Sequence, residues 1–157
     1  MKLRRVLSTV LALALSVTGL TVTLFAQVQG NWRAESKTAR SITGDLVFGS
    51  ERLSLNFMTF PVAEIRPLTQ DEVLAAFSSA EGGKGTGHLY RLSIPGEKRF
   101  LHKNNLCAGL ETQWMATYLN GKSLDIAFFS NAAPPVFTVE ALNNSVNLCG
   151  TFSYTRW

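Results

Sequence analysis

An Asn120-Gly121 pair stands between two runs rich in β-branched and aromatic residues, at 112–119 and 123–129. Asn-Gly readily takes the two positive φ angles of a type I′ turn, whose twist matches that of paired strands. The two runs are therefore expected to form a hairpin. Shorter runs repeat the theme by alternation, the signature of a half-buried strand. Over 52–57, Leu53, Leu55 and Phe57 fall on one face and Arg52, Ser54 and Asn56 on the other. Tyr90, Leu92 and Ile94 oppose Arg91 and Ser93 in the same way. Ile42, Gly44, Leu46 and Phe48 do so with Thr43 and Asp45 outward. Further strands are expected at 31–36, 60–66, 98–103 and 151–156.

One helix interrupts this pattern. Thr69-Gln70-Asp71-Glu72 is a capping box, and Val73, Leu74 and Phe77 follow at helical spacing. A second helical turn is possible near 139–142. Residues 78–87, rich in glycine and serine, predict a flexible loop. Short strands at hairpin spacing with one short helix predict an all-β fold. It is an antiparallel barrel of eight or nine strands, or a sandwich of the same strands.

The first 26 residues are of a different kind. Lys2, Arg4 and Arg5 precede an apolar run from Val6 to Leu24, and Ala26 offers a small-residue exit. A basic start, an apolar centre and a small residue at the end describe a secretory signal peptide, with cleavage expected after Ala26. An uncleaved membrane anchor is the competing reading, and the only one in which the chain would meet a membrane. The mature chain, 27–157, then forms a single domain large enough to bury a core. Removing Lys2, Arg4 and Arg5 from the 15 basic residues leaves 12 against 11 acidic ones, a net charge of +1. So small an excess gives no case for nucleic acid binding.

Both cysteines, Cys107 and Cys149, lie in the exported part, where the compartment favours a disulfide. The bridge would close a loop of 43 residues counting both ends, contributing about 4 kcal/mol at most on the chain-entropy model. Their contexts echo each other, Asn105-Leu106-Cys107 and Asn147-Leu148-Cys149, each just before an expected strand. The two are thus expected to enter neighbouring strands alike.

Gly30-Asn31-Trp32 resembles the Gly-x-Trp that opens the first strand of lipocalins and their calycin relatives. The resemblance implies an eight-stranded ligand-binding barrel. It also implies that Arg156, in the closing strand, stacks on Trp32 through a cation–π contact. Gly85-Thr86-Gly87-His88-Leu89-Tyr90 is similar to the Ser-Gly-Ser-Gly-Ala-Lys-Tyr segment of small periplasmic inhibitors of c-type lysozyme. There Thr86 replaces the family's second serine and Leu89 its lysine. This second resemblance implies a binding loop at Gly85, Thr86, Gly87 and His88.

Catalytic patterns are hard to assemble. Gly82-Gly83-Lys84-Gly85-Thr86 fails as a P-loop, because Ser78 stands where a glycine is needed and Gly85 where Ser or Thr must follow the lysine. His88 and His102 have no second ligand at metal spacing, and no Gly-x-Ser-x-Gly elbow occurs. Glu35, Asp45, Glu64, Asp71, Glu72 and Glu81 read as solvated carboxylates. Lys98, Arg99, His102 and Lys103 flank Phe100 and Leu101. They suit an anionic headgroup or polymer, or else a solvated edge strand whose lysines discourage aggregation.

The sequence thus predicts an exported protein, periplasmic or secreted, that binds rather than catalyses and carries no cofactor. Its ligand would be an apolar or amphipathic molecule in the barrel, or an envelope protein met through the loops. The alternatives are an inhibitor of a cell-wall-degrading enzyme such as c-type lysozyme and a structural envelope protein. A large apolar cavity favours the first, a protruding Gly85–His88 loop the second, and a filled core with neither the third.

Overall fold

The structure, a computed structural model, describes residues 28–157. The segment read as a signal peptide, and Gln27 after it, lie outside the described residues. Eight antiparallel strands follow one another in chain order around a closed barrel. They are β1 (Gly30–Ala34), β2 (Leu46–Phe48), β3 (Arg52–Leu55), β4 (Met58–Leu68), β5 (Thr86–Ile94), β6 (Thr112–Asn120), β7 (Ser123–Phe129) and β8 (Leu148–Arg156). β8 pairs back onto β1 with Trp32 opposite Arg156, so each of the eight described strands has a neighbour on both sides.

The barrel interior is filled by side chains. Trp32, Leu53, Leu55, Met115, Leu124, Ile126, Phe128, Phe152 and Tyr154 are all fully buried there. Phe128 meets Phe152 edge-on at 5.3 Å between ring centroids, and Phe48 meets Tyr90 in the same manner. A second apolar cluster lies outside the barrel, over β5 to β7. Leu89, Trp114, Ala116, Tyr118, Ala127 and Phe129 there face Val73, Phe77 and Leu142, which come from two helices and their flanks. Those helices are α2 (Gln70–Ala76) and α3 (Val139–Asn143); α1 (Lys37–Ile42) joins β1 to β2. Strands covered on both faces read as continuous apolar runs, which is why 112–119 and 123–129 do not alternate as 52–55 does.

The α2 capping box forms as expected: Thr69 accepts from the Glu72 amide and Glu72 reaches back to the Thr69 amide. Two helices join it. α3 lies where the second turn was possible, capped by Thr138. α1 replaces part of the alternation expected over 42–48: Ser36 caps it by accepting from the Ala39 amide, and a strand begins only at Leu46. Thr43, expected outward, is buried and shares a 2.6 Å hydrogen bond with the Tyr154 hydroxyl. Its own burial pushes the Tyr154 phenol well above its usual range, against the hydrogen bond with Thr43.

The hairpin at 112–129 forms, but its turn is shifted by one residue. Asn120 pairs with Ser123, so Gly121 and Lys122 are the central pair. Only Gly121 has positive φ there, 60°, as in a type II′ turn. The doubly positive pattern of type I′ lies between β3 and β4, where Leu55 pairs with Met58 around Asn56 (φ 46°) and Phe57 (φ 64°). Phe57, expected on the inner face with Leu53 and Leu55, is therefore in the turn and fully exposed.

No strand forms at 98–103. Phe100 is buried, packing against Phe60 at the barrel end, and its amide bonds the Asn104 carbonyl at 2.7 Å. The chain between them doubles back through positive φ at His102 and Lys103. Anchoring Phe100 in this tight return is what excludes an extended strand.

Candidate functional site

Helices α2 and α3 cover the outer face of β5 to β7, whereas among the described residues no helix covers the outer face of β1 to β3. Asn31 and Arg33 on β1, Val47 on β2 and Ser54 on β3 point outward there by strand alternation, opposite Trp32, Leu46 and Leu55. A groove of about 1000 Å³ lies over this face. The C-terminal end of α1 (Arg40, Thr43, Gly44) and Leu101 border it, and Phe57 and Trp157 stand in its walls. Val47 is 48% exposed, Trp157 66% and Phe57 fully so.

Its electrostatics are simple. The Arg33 guanidinium lies 4.0 Å from the Trp157 ring centroid, and Arg40 donates to the Glu35 carbonyl. Asp45 accepts from the Ala34 amide at 2.8 Å, so its carboxylate is tied to the β1 backbone. Among the described residues, neither Arg33 nor Arg40 has a carboxylate within ion-pair distance. The groove therefore offers two guanidinium groups beside apolar walls, with one backbone-bound carboxylate. The lining thus sets cationic surface beside apolar surface.

A smaller polar group sits where β4 and β5 pair. His88 is buried, its Nδ1 2.8 Å from Oε1 of the half-exposed Glu64, and its ring lies 6.3 Å from that of Tyr90. Burial first, then the Glu64 charge, pushes the Tyr90 phenol well above its usual range, against a hydrogen bond with Thr117. Among the described residues no group of three or more His, Cys, Asp or Glu is placed to hold a metal.

Cys107 and Cys149 are joined, S–S 1.97 Å. They do not enter neighbouring strands: Cys107 sits in a tight turn opposite Leu110, Cys149 is in β8, and β7 separates β6 from β8. The bridge thus ties the β5–β6 connection to the start of β8. Arg156 lies 4.7 Å from the Trp32 ring centroid, and the indole donates to the Val28 carbonyl at 2.7 Å.

The Gly85–His88 segment is not a protruding loop. Thr86, Gly87 and His88 open strand β5, and both glycines are at close approaches. A Cβ at Gly85 would come within 2.2 Å of the Leu119 carbonyl oxygen, and one at Gly87 within 2.4 Å of the Val73 side chain. Small residues are needed there to seat β5 against β6 and under α2. Lys98, Arg99, His102 and Lys103 are all exposed, around the return at Phe100 rather than along an edge strand. Only Leu101 of that stretch reaches the groove.

Arg33, Arg40, Phe57 and Trp157 were not anticipated as a group. The sequence does carry one signal for Phe57. Apolar alternation runs on odd numbers through Leu53 and Leu55, then on even numbers from Met58 through Phe60 and Val62. A change of parity between two strands is what a two-residue turn at 56–57 produces. Comparison with family models, with curated proteins and with solved structures gives no match to this chain.

Proposed function

We propose that this is an exported, periplasmic or secreted, binding protein that holds an apolar or amphipathic ligand in the groove over β1 to β3. The observation that carries this reading is the contrast between the two sides of the barrel wall. The interior is occupied by Trp32, Phe128, Phe152 and Tyr154, leaving the role of container to the outer face. On that face a cavity of about 1000 Å³ keeps Val47, Phe57 and Trp157 in contact with solvent. The volume is at the upper end of the range for small-molecule sites. Exposed apolar side chains gathered in a concavity are more informative than the same residues scattered singly. The joined cysteines support the oxidising compartment that export implies. Among the described residues that line the groove, the one side-chain carboxylate, Asp45, is held by a backbone amide, which suits a binding role.

Native mass spectrometry of the protein purified from the extracytoplasmic fraction of its own host tests the reading. A retained small molecule is expected. It should be lost from Val47→Glu, which puts a charge in the groove wall at an exposed position that the fold does not need. Retention unchanged by Val47→Glu would place the ligand elsewhere. A protein that carries nothing under mild conditions would overturn the binding reading in favour of a structural envelope role.

A further inference from the structure

We propose that the groove's ligand is a free single-chain amphipathic anion, its acidic head at Arg33 and Arg40 and its chain along Val47 and Phe57. This deepens the binding reading above and rests on it. Phe57 carries the argument. It occupies the second central position of the β3–β4 turn at φ 64°, where a residue without a Cβ is favoured and a bulky one is an outlier. At the β6–β7 turn the same chain meets a positive φ of 60° with glycine, Gly121. Phe57 receives no compensation from packing, because its side chain is completely exposed. An aromatic ring that strains the backbone and buries nothing gives the fold no stability. Strain of this kind, seen in a wall of a cavity, points to what the ring touches outside the chain.

The head assignment follows from charge. Arg33 lies with its guanidinium carbon 4.0 Å from the Trp157 centroid, a contact with the ring that spends none of its N–H donors on a carboxylate and leaves them for an oxyanion. Arg40 adds a second guanidinium on the α1 side, and Asp45 is held by the Ala34 amide. Carboxylate or phosphate heads suit this pair, and a cationic head does not. One hydrocarbon chain suits a cleft of about 1000 Å³ with walls on both sides better than a bilayer surface does.

Titration calorimetry with decanoate and with decyltrimethylammonium, matched in chain and opposite in charge, tests the head. Decanoate is expected to bind at one saturable site, at least about ten-fold tighter than the cation. Arg33→Gln with Arg40→Gln should remove most of that preference. Equal affinity for the two would overturn the head assignment while leaving the groove reading standing. Absence of binding by either would overturn the amphiphile. The wider reading would still be judged separately, by whether the host-purified protein loses its ligand on Val47→Glu. Association with anionic phospholipid vesicles without decanoate binding would overturn the proposal in favour of a membrane surface.

Phe57→Gly tests the strained turn by two readouts that a merely structural residue would move together. Decanoate affinity should fall about ten-fold while the melting temperature of the free protein rises by a few degrees, as strain is relieved. A lower melting temperature, or unchanged affinity, would overturn the role assigned to Phe57.

Discussion

Arg156 stacks on Trp32 across the seam where the last strand meets the first: the two are register partners, with the guanidinium carbon 4.7 Å from the indole centroid. The indole is completely buried and donates to the Val28 carbonyl, which draws the chain before β1 over the same end. One pair of side chains thus fastens both ends of the described chain to a single point of the barrel wall. Trp32→Ala should cost about 3–5 kcal/mol, as for a large buried aromatic. Arg156→Ala should cost less, removing the cation–π contact and the packing of its stem. Because the two share a contact, their losses in a double-mutant denaturation cycle should be non-additive. Additive losses would mean the contact contributes nothing.

Arg66 and Glu72 form a second pair, two hydrogen bonds of 2.7 Å from the guanidinium nitrogens of β4 to the first turn of α2. Those bonds first, and the Thr69 amide after them, hold the Glu72 carboxyl well below the usual range, at about 2. A carboxyl depressed in the folded state stabilises above its ordinary value, near 4.5, and loses that contribution as pH falls toward 2. The pair is solvent-facing, so its effect is at most about 1 kcal/mol. Denaturation midpoints measured from pH 5 to pH 2 should decline less steeply in Glu72→Gln than in the parent. Parallel declines would show that the pair is not coupled to folding.

The fold was legible wherever one face of a strand is buried and the other wet. Leu53 and Leu55, or Tyr90, Leu92 and Ile94, announce their strands because the pleat separates core from solvent. The Thr69–Glu72 box announced α2 because both of its hydrogen bonds are local. What was not legible depends on distant contacts. α1 forms in a stretch with no apolar stripe, held by the Ser36 cap and by packing of its Ala39 face against the barrel end. Residues 98–103 lose their strand to the burial of Phe100 against Phe60, a contact between positions 40 apart in the chain. The groove was hidden for a related reason. Arg33, Arg40, Phe57 and Trp157 come from four separate parts of the sequence, and only barrel closure brings the first and last together.

The Cys107–Cys149 bridge fastens a turn of the β5–β6 connection to β8, so its loss should free the segment 95–111 as well as destabilise the whole. No thiol should titrate in the denatured, unreduced protein. Reduction should lower the unfolding free energy by up to about 4 kcal/mol on the chain-entropy model. Two titratable thiols would remove the bridge from the account of stability and weaken the case for an oxidising compartment.

Alanine at Gly85 and at Gly87 distinguishes a packed strand from a recognition loop. At Gly85 the obstacle to a Cβ is backbone, the Leu119 carbonyl oxygen at 2.2 Å, with the Tyr118 ring also within 2.6 Å. Neither can move without disturbing β6, so Gly85→Ala should destabilise by about 2–4 kcal/mol, in the range of overpacking and displaced backbone. At Gly87 the nearest atom is a Val73 methyl at 2.4 Å, on a helix that can shift outward, so Gly87→Ala should cost less, about 1–3 kcal/mol. In combination with Val73→Ala, which vacates the space the new methyl would enter, much of the Gly87→Ala penalty should disappear. Gly85→Ala should gain little from that change, since its nearest obstacle is the Leu119 carbonyl oxygen of β6 and not Val73. Chemical denaturation of the two single variants and the two combinations checks all four expectations. Alanine tolerated at both positions would mean that the segment stands free of β6 and α2, as a loop built to meet a partner would.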